Sequence, residues 1–222
     1  LLGLLRHDLD QAEGPPALEL TYEIGTLHEQ KLSEPQQAVD SYELVLQKSP
    51  SHQRAQEALE RLLEVPSQRQ RVAQILEPVH ESQYAWAKLA HVLDVELEFE
   101  RDPGARVALL TRLARIREER LQDLAGAFDA LARAVEADPG DAEVRKQLAR
   151  IAMGTNRQRD RAAVLEKSVA AADATYLKAE LLGEIAALFV NDERDLDSAE
   201  SAFQRLIAVD PENAEVVLDA SR

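Results

Sequence analysis

The fold is decided by the run Ala38-Val39-Asp40-Ser41-Tyr42-Glu43-Leu44-Val45-Leu46-Gln47-Lys48-Ser49-Pro50. Its Ala38, Tyr42, Leu46 and Pro50 recur 89 residues later as Ala127, Leu131, Val135 and Pro139, and a further 72 residues on as Ala199, Phe203, Ile207 and Pro211. The segment before each copy repeats at the same offsets. Leu20, Ile24 and Leu27 become Leu109, Leu113 and Ile116, then Leu181, Ile185 and Leu188. Spacings of three and four put such residues on one helix face. A small Ala lets two helices approach, and the bulky residue one turn later fills the groove beside it. Pro cannot continue a helix, so it ends the second helix of each pair. The polar residue after it caps the next one.

The offsets differ by 17 residues, about one short helix, so an extra helix is expected near 65–81, around Arg71-Val72-Ala73-Gln74-Ile75-Leu76. Large-unit boundaries fall near 15, 103 and 174. The pattern predicts about thirteen helices: 1–12, 16–31, 34–48, 51–64, 67–79, 82–100, 103–121, 123–137, 141–153, 156–172, 174–190, 195–208 and 212–221. Connections are short, so neighbours form antiparallel hairpins. A hairpin cannot bury both faces alone, so the hairpins stack. The fold class expected is all-α: a single continuous right-handed α-solenoid of stacked antiparallel helix hairpins over 1–222. Leu4 aligns with Leu93 and Ala220 with Leu148, so the array is expected to be a piece of a longer one, truncated at both ends.

Composition agrees. The 222 residues are 45% hydrophobic and only 4% aromatic, rich in helix formers and too poor in aromatics for a β-sandwich or barrel. There is no Cys, which excludes disulfides, thiolate metal sites and a Cys nucleophile. The net charge of −15 makes the chain a poor nucleic-acid binder. No stretch is long enough to insert in a membrane, and Arg6, His7 and Asp8 interrupt the apolar start. A soluble, cytoplasmic protein is the expectation.

The Ala-x3-aromatic-x7-Pro run resembles the tetratricopeptide repeat (TPR). Ala38, Tyr42 and Pro50 match it, as do Ala199, Phe203 and Pro211; Leu131 replaces the aromatic in the middle copy. The first helix departs, carrying Leu20, Ile24 and Leu27 where the family has Trp, Leu-Gly and Tyr. It fits only with a hairpin loop about two residues longer, supplied by Leu32-Ser33-Glu34-Pro35 and Leu121-Gln122-Asp123-Leu124. The long unit is similar to large bacterial multi-repeat proteins.

The resemblance implies a non-enzymatic scaffold that binds a peptide or partner helix, with protein partners and room for self-association. The alternative is a regulatory or docking module of a larger enzyme or signalling protein. By family position the groove faces are Leu18, Thr21 and Gly25; Val107, Leu110 and Ala114; Ala179, Leu182 and Ala186. They lack the Lys and Asn with which one subtype clamps a carboxylate. Either they line a groove or they pack in the core.

Charge is segregated. From Arg101 to Arg161 there are 13 Lys and Arg against 10 Asp and Glu; the rest has 13 against 31. Arg112 and Arg115, with Arg106, Arg117 and Arg120 on one expected helix and Arg145, Lys146, Arg150, Arg157, Arg159 and Arg161 after it, suggest a basic stripe for an acidic partner or for the acidic part of a neighbouring copy. The alternative is solvated faces with ion pairs four residues apart, such as Arg115 to Glu119.

No catalytic residues, metal site or cofactor are expected. The five His form no i,i+4 pair, and His80-Glu81 alone cannot hold a metal. Asp192-Glu193-Arg194-Asp195-Leu196-Asp197 lacks the Gly and twelfth-position Glu of a calcium loop and reads as a hairpin loop with a capping Asp. A helical enzyme would need clustered carboxylates or zinc ligands, which are missing. Trp86, the single Trp, begins an apolar face with Leu89, Ala90 and Leu93. It reads as core, with an exposed binding anchor the alternative.

Overall fold

The computed structural model describes residues 1–211, the side chains of Asp192 and Glu193 aside. The expected helix over 212–221, with Ala220, lies outside them. The described residues form twelve α-helices and no strand. They group into two compact units, Leu1–Phe99 and Glu100–Arg222.

The first unit holds α1 (Leu2–Gln11), α2 (Pro15–Leu27), α3 (Pro35–Lys48), α4 (Gln53–Leu62), α5 (Arg69–Ser82) and α6 (Trp86–Phe99), each packed on the next from α1 to α6. The second holds α7 (Pro103–Glu119), α8 (Leu124–Ala137), α9 (Ala142–Thr155), α10 (Gln158–Ala171), α11 (Thr175–Leu188) and α12 (Leu196–Val209). The tightest pairs are the repeated hairpins α2–α3, α7–α8 and α11–α12, together with α5–α6. The architecture is an all-α array of helix hairpins, and the extra helix is α5.

Most of the repeat positions are buried as their chemistry demands, but Ile207 is exposed and Leu20, Leu27, Leu109 and Phe203 are half-buried. Ala38, Tyr42, Ala127, Leu131 and Ala199 are all buried, as are Ile24, Leu113 and Ile185 beneath them. In the first copy size compensates size at Gly25, which faces Tyr42. A Cβ on Gly25 would lie 2.7 Å from the Tyr42 ring, so the largest side chain faces the smallest. Where Leu131 replaces Tyr42, Ala114 replaces Gly25. Tyr42 donates its hydroxyl to Glu29 Oε2 (2.7 Å), and burial pushes that hydroxyl's pKa far above its ordinary range.

The extra loop length has a defined shape. Ser33, Gln122 and Arg194 occupy equivalent positions and all take the left-handed conformation (φ 55°, 55° and 52°). In each copy the next amide reaches six residues back: Glu34 to His28, Asp123 to Arg117, Asp195 to Phe189. This ring is one residue wider than the usual left-handed helix stop. Single π turns over His28–Leu32 and Phe189–Glu193 absorb the added residue. Asp123 and Asp195 then cap α8 and α12 through Gly126 and Ser198.

The expected helix bounds need correction: the helix expected over 67–79 is Arg69–Ser82, with Pro78 inside it, and α6 starts at Trp86 rather than 82. The reason is Tyr84, whose φ of 56° places the chain reversal between them. Leu4, aligned with the fully buried Leu93, is 61% exposed on α1, a helix that packs on α2 and buries no residue of its own.

Candidate functional site: the cleft between α7 and α9

In the second unit α7 and α9 run side by side over α8. Each starts from a capping Asp. Asp102 accepts from the amide of Ala105 (2.8 Å), and Asp141 accepts from those of Glu143 and Val144 (2.9 and 3.1 Å). Between them lies a cleft of about 770 Å³. Val107, Ala114, Val144 and Leu131 contribute its apolar surface; Arg112, Arg115, Glu118, Glu119, Glu143 and Arg150 contribute its charge.

The cleft lies where Thr111 and Ala108 replace larger residues of the first unit and two carboxylates replace an Arg and a His. At the 89-residue offset Thr111 corresponds to Tyr22, Ala108 to Glu19, Glu143 to Arg54 and Asp141 to His52. In the first unit those four fill the space. The Tyr22 ring lies 5.4 Å from the His52 ring and 5.6 Å from that of Tyr42. The Arg54 guanidinium sits 4.2 Å above Tyr22 and pairs with Glu19 at 2.5 Å. The second unit has none of these side chains. The Thr111 hydroxyl turns back to the Val107 carbonyl (2.8 Å) and leaves the floor open.

The six partner-binding candidates separate. Arg112 and Arg115 line the cleft. Arg115 is exposed and takes part in no ion pair among the described residues; Arg112 is half-buried. Leu110 and Leu182 are 0% and 1% exposed, so both belong to the core. Neither lines the cleft. Leu18 and Thr21 are half-buried on α2, beside the space that Tyr22 fills, and Thr21 donates to the Ala17 carbonyl (2.7 Å). Val107 and Ala114, also expected in the groove, do line it. Thr111, Val144 and Gln147 escaped the sequence reading. The signal for Thr111 was its exchange for Tyr22 between copies.

The basic segment is not one free stripe. Arg150 clasps Glu118 with both nitrogens (2.5 and 2.7 Å), and this pair holds the Glu118 carboxyl below its ordinary pKa. The first unit repeats the pair as Arg61–Glu29, at 3.3 Å. Arg157 binds Asp160 and Asp129 and covers the Phe128 ring at 3.8 Å. Arg161 pairs with Glu184 at 2.8 Å. Arg145 is 1% exposed, donating to Glu184 (2.7 Å), to Glu180 and to the Pro139 carbonyl. Its counterpart Gln56 donates to the Pro50 carbonyl in the same way. These arginines tie helices together, whereas Arg112 and Arg115 stand on the wall of the cleft, Arg115 exposed.

Other candidate chemistry is structural. His28 and His80 are buried. His28 lies 2.7 Å from Glu34, and His80 Nε2 lies 3.6 Å from Glu60. His52 caps α4 by accepting from the Ala55 amide. Among the described residues no group of three or more His, Asp or Glu is placed to hold a metal, and no helix is long and apolar enough to cross a membrane.

No family model and no curated protein matches the sequence. Among solved structures the chain is similar to YrrB, described as a TPR protein with an unusual peptide-binding site. The identity is 14%, the TM-score 0.35, and the match covers 100% of this chain and 99% of that one.

Proposed function

We propose that this chain is a non-enzymatic scaffold for protein–protein interaction, and that the α7–α9 cleft receives a peptide or helix of the partner. One observation carries the reading: in two copies of the same hairpin, the Tyr22 that closes the groove in one is replaced by the small Thr111 in the other, where the groove is an open cleft. The floor of Val107, Ala114, Leu131 and Val144 suits an apolar anchor. Arg115, exposed at the wall, suits a carboxylate beside that anchor. Rim charges of this kind act on encounter rate and salt dependence more than on affinity.

The test is a pair of variants in a pull-down from source lysate at low and high salt. Thr111→Tyr refills the cleft as Tyr22 does and is expected to abolish capture. Arg112→Glu with Arg115→Glu is expected to remove its salt-sensitive part. A partner retained by both variants excludes the cleft.

A further inference from the structure

The chain reversal between α5 and α6 differs from its counterpart in the second unit. Tyr84 and Asn156 are equivalent at the 72-residue offset and share one backbone geometry. Their φ angles are 56° and 54°. The amide that follows each, of Ala85 and of Arg157, bonds five residues back, to His80 and to Ala152, both at 2.9 Å. Asn adopts this conformation readily; a bulky aromatic residue there is a genuine outlier. Such strain persists where the surroundings impose it, and it clusters at ligand-binding positions. Tyr84 gains nothing from burial in return, being 73% exposed. Its ring lies 5.6 Å from that of Trp86, where the second unit has Gln158.

The surroundings specify what would cover these rings. Near the turn the single Lys, Lys88, is held by Glu60 at 2.7 Å. The first unit as a whole carries 8 Lys and Arg against 17 Asp and Glu. Beside the turn, Gln83 donates to the Pro50 carbonyl (3.1 Å). Pro50 is at the end of an apolar cleft of about 660 Å³ between α3 and α5, with Leu46, Ile75, Pro78 and Val79. This cleft depends on the inserted α5.

We propose that the Tyr84 turn is a second docking surface, and that it receives a basic segment of a partner protein. An Arg or Lys of that segment stacks on Tyr84, drawn by the net acidity of the first unit, and an adjacent apolar side chain enters the α3–α5 cleft, where Arg71 is already paired with Asp40 and Glu43. Stacking of a cation on an exposed ring is a modest attraction that desolvation strengthens. This surface is independent of the α7–α9 cleft.

Trp86, as the single Trp, reports on the turn directly. The full chain is titrated with a short peptide of alternating Arg and Leu, and with its Glu-Leu counterpart, while Trp emission is followed. The Arg-Leu peptide is expected to give a saturable, salt-sensitive change. Tyr84→Asn, which copies the second unit's residue, is expected to weaken it roughly tenfold. Tyr84→Phe is expected to retain it. Asn also relieves the backbone, so the Tm of Y84N should hold or rise by about 2–4 °C. If it falls, Tyr84→Gly takes its place as the ring-free variant. The proposal fails if the emission does not move, if the Glu-Leu peptide binds as well, or if the ring-free variant binds within about twofold of the native chain. It also fails if the emission instead follows protein concentration and the sedimenting mass doubles, which would assign the surface to a second copy.

Discussion

Tyr22 and Thr111 occupy one place in two copies of one hairpin, and the copies differ in kind. Around Tyr22 the groove is packed with two aromatic neighbours and an arginine over the ring. Around Thr111 it is a cleft with an apolar floor and an exposed Arg115. The backbone plan is shared down to the capping position and the wide left-handed corner. A repeat can thus close a site or open one with a few side chains while its helices stay the same.

The copies should respond differently to matched mutations. The largest difference is expected at the residue that reaches the turn carbonyl. Arg145→Ala removes a buried side chain that donates to Glu184, Glu180 and the Pro139 carbonyl, and should destabilise the second unit by about 3 kcal/mol even though Arg161 still pairs with Glu184. Gln56→Ala removes one neutral hydrogen bond and should cost about 1 kcal/mol. Urea unfolding of the two variants compares them, and equal losses would mean that the ion cluster adds nothing.

Next comes size compensation. Gly25→Ala drives a Cβ into the Tyr42 ring and should cost about 2 kcal/mol. Adding Tyr42→Leu recreates the Ala114–Leu131 pair. The double variant should be more stable than the sum of the singles by at least about 1 kcal/mol. Additivity would show that the ring has room to move.

The smallest effect is a pH dependence confined to the first unit. Burial lowers the pKa of His80 from 6.5, with Glu60 opposing and Lys88 assisting. The unfolded chain therefore binds this proton more readily than the folded one. Stability should fall as pH drops below about 6.5, by at most about 1.4 kcal/mol per pH unit, and level off below the folded value. Thermal melts of His80→Leu between pH 7 and 5 should lack this slope.

Period and spacing made the hairpins legible, because Ala38, Tyr42 and Pro50 each act within one or two helical turns. The ends of α5 and α6 were not, because the left-handed conformation of Tyr84 runs against its side chain's preference. Arg145 was misread for another reason. A helical arginine ordinarily reads as solvated, and its carboxylate partners are 35 and 39 residues away in sequence. The cleft was half legible: aligning the copies exposes the Tyr22-to-Thr111 exchange, but only packing shows that Tyr22 plugs the groove.

The corners at Ser33, Gln122 and Arg194 carry three unlike side chains on one backbone path. Their shape belongs to the main chain, so the residues on either side of one corner can be joined to those of another without a mismatch in direction. Cutting after Gln122 and rejoining at Asp195 would connect α7 to α12 through an unchanged bend. Such corners are natural seams, at which the array can be shortened or lengthened by whole blocks while every remaining helix keeps its neighbour's angle.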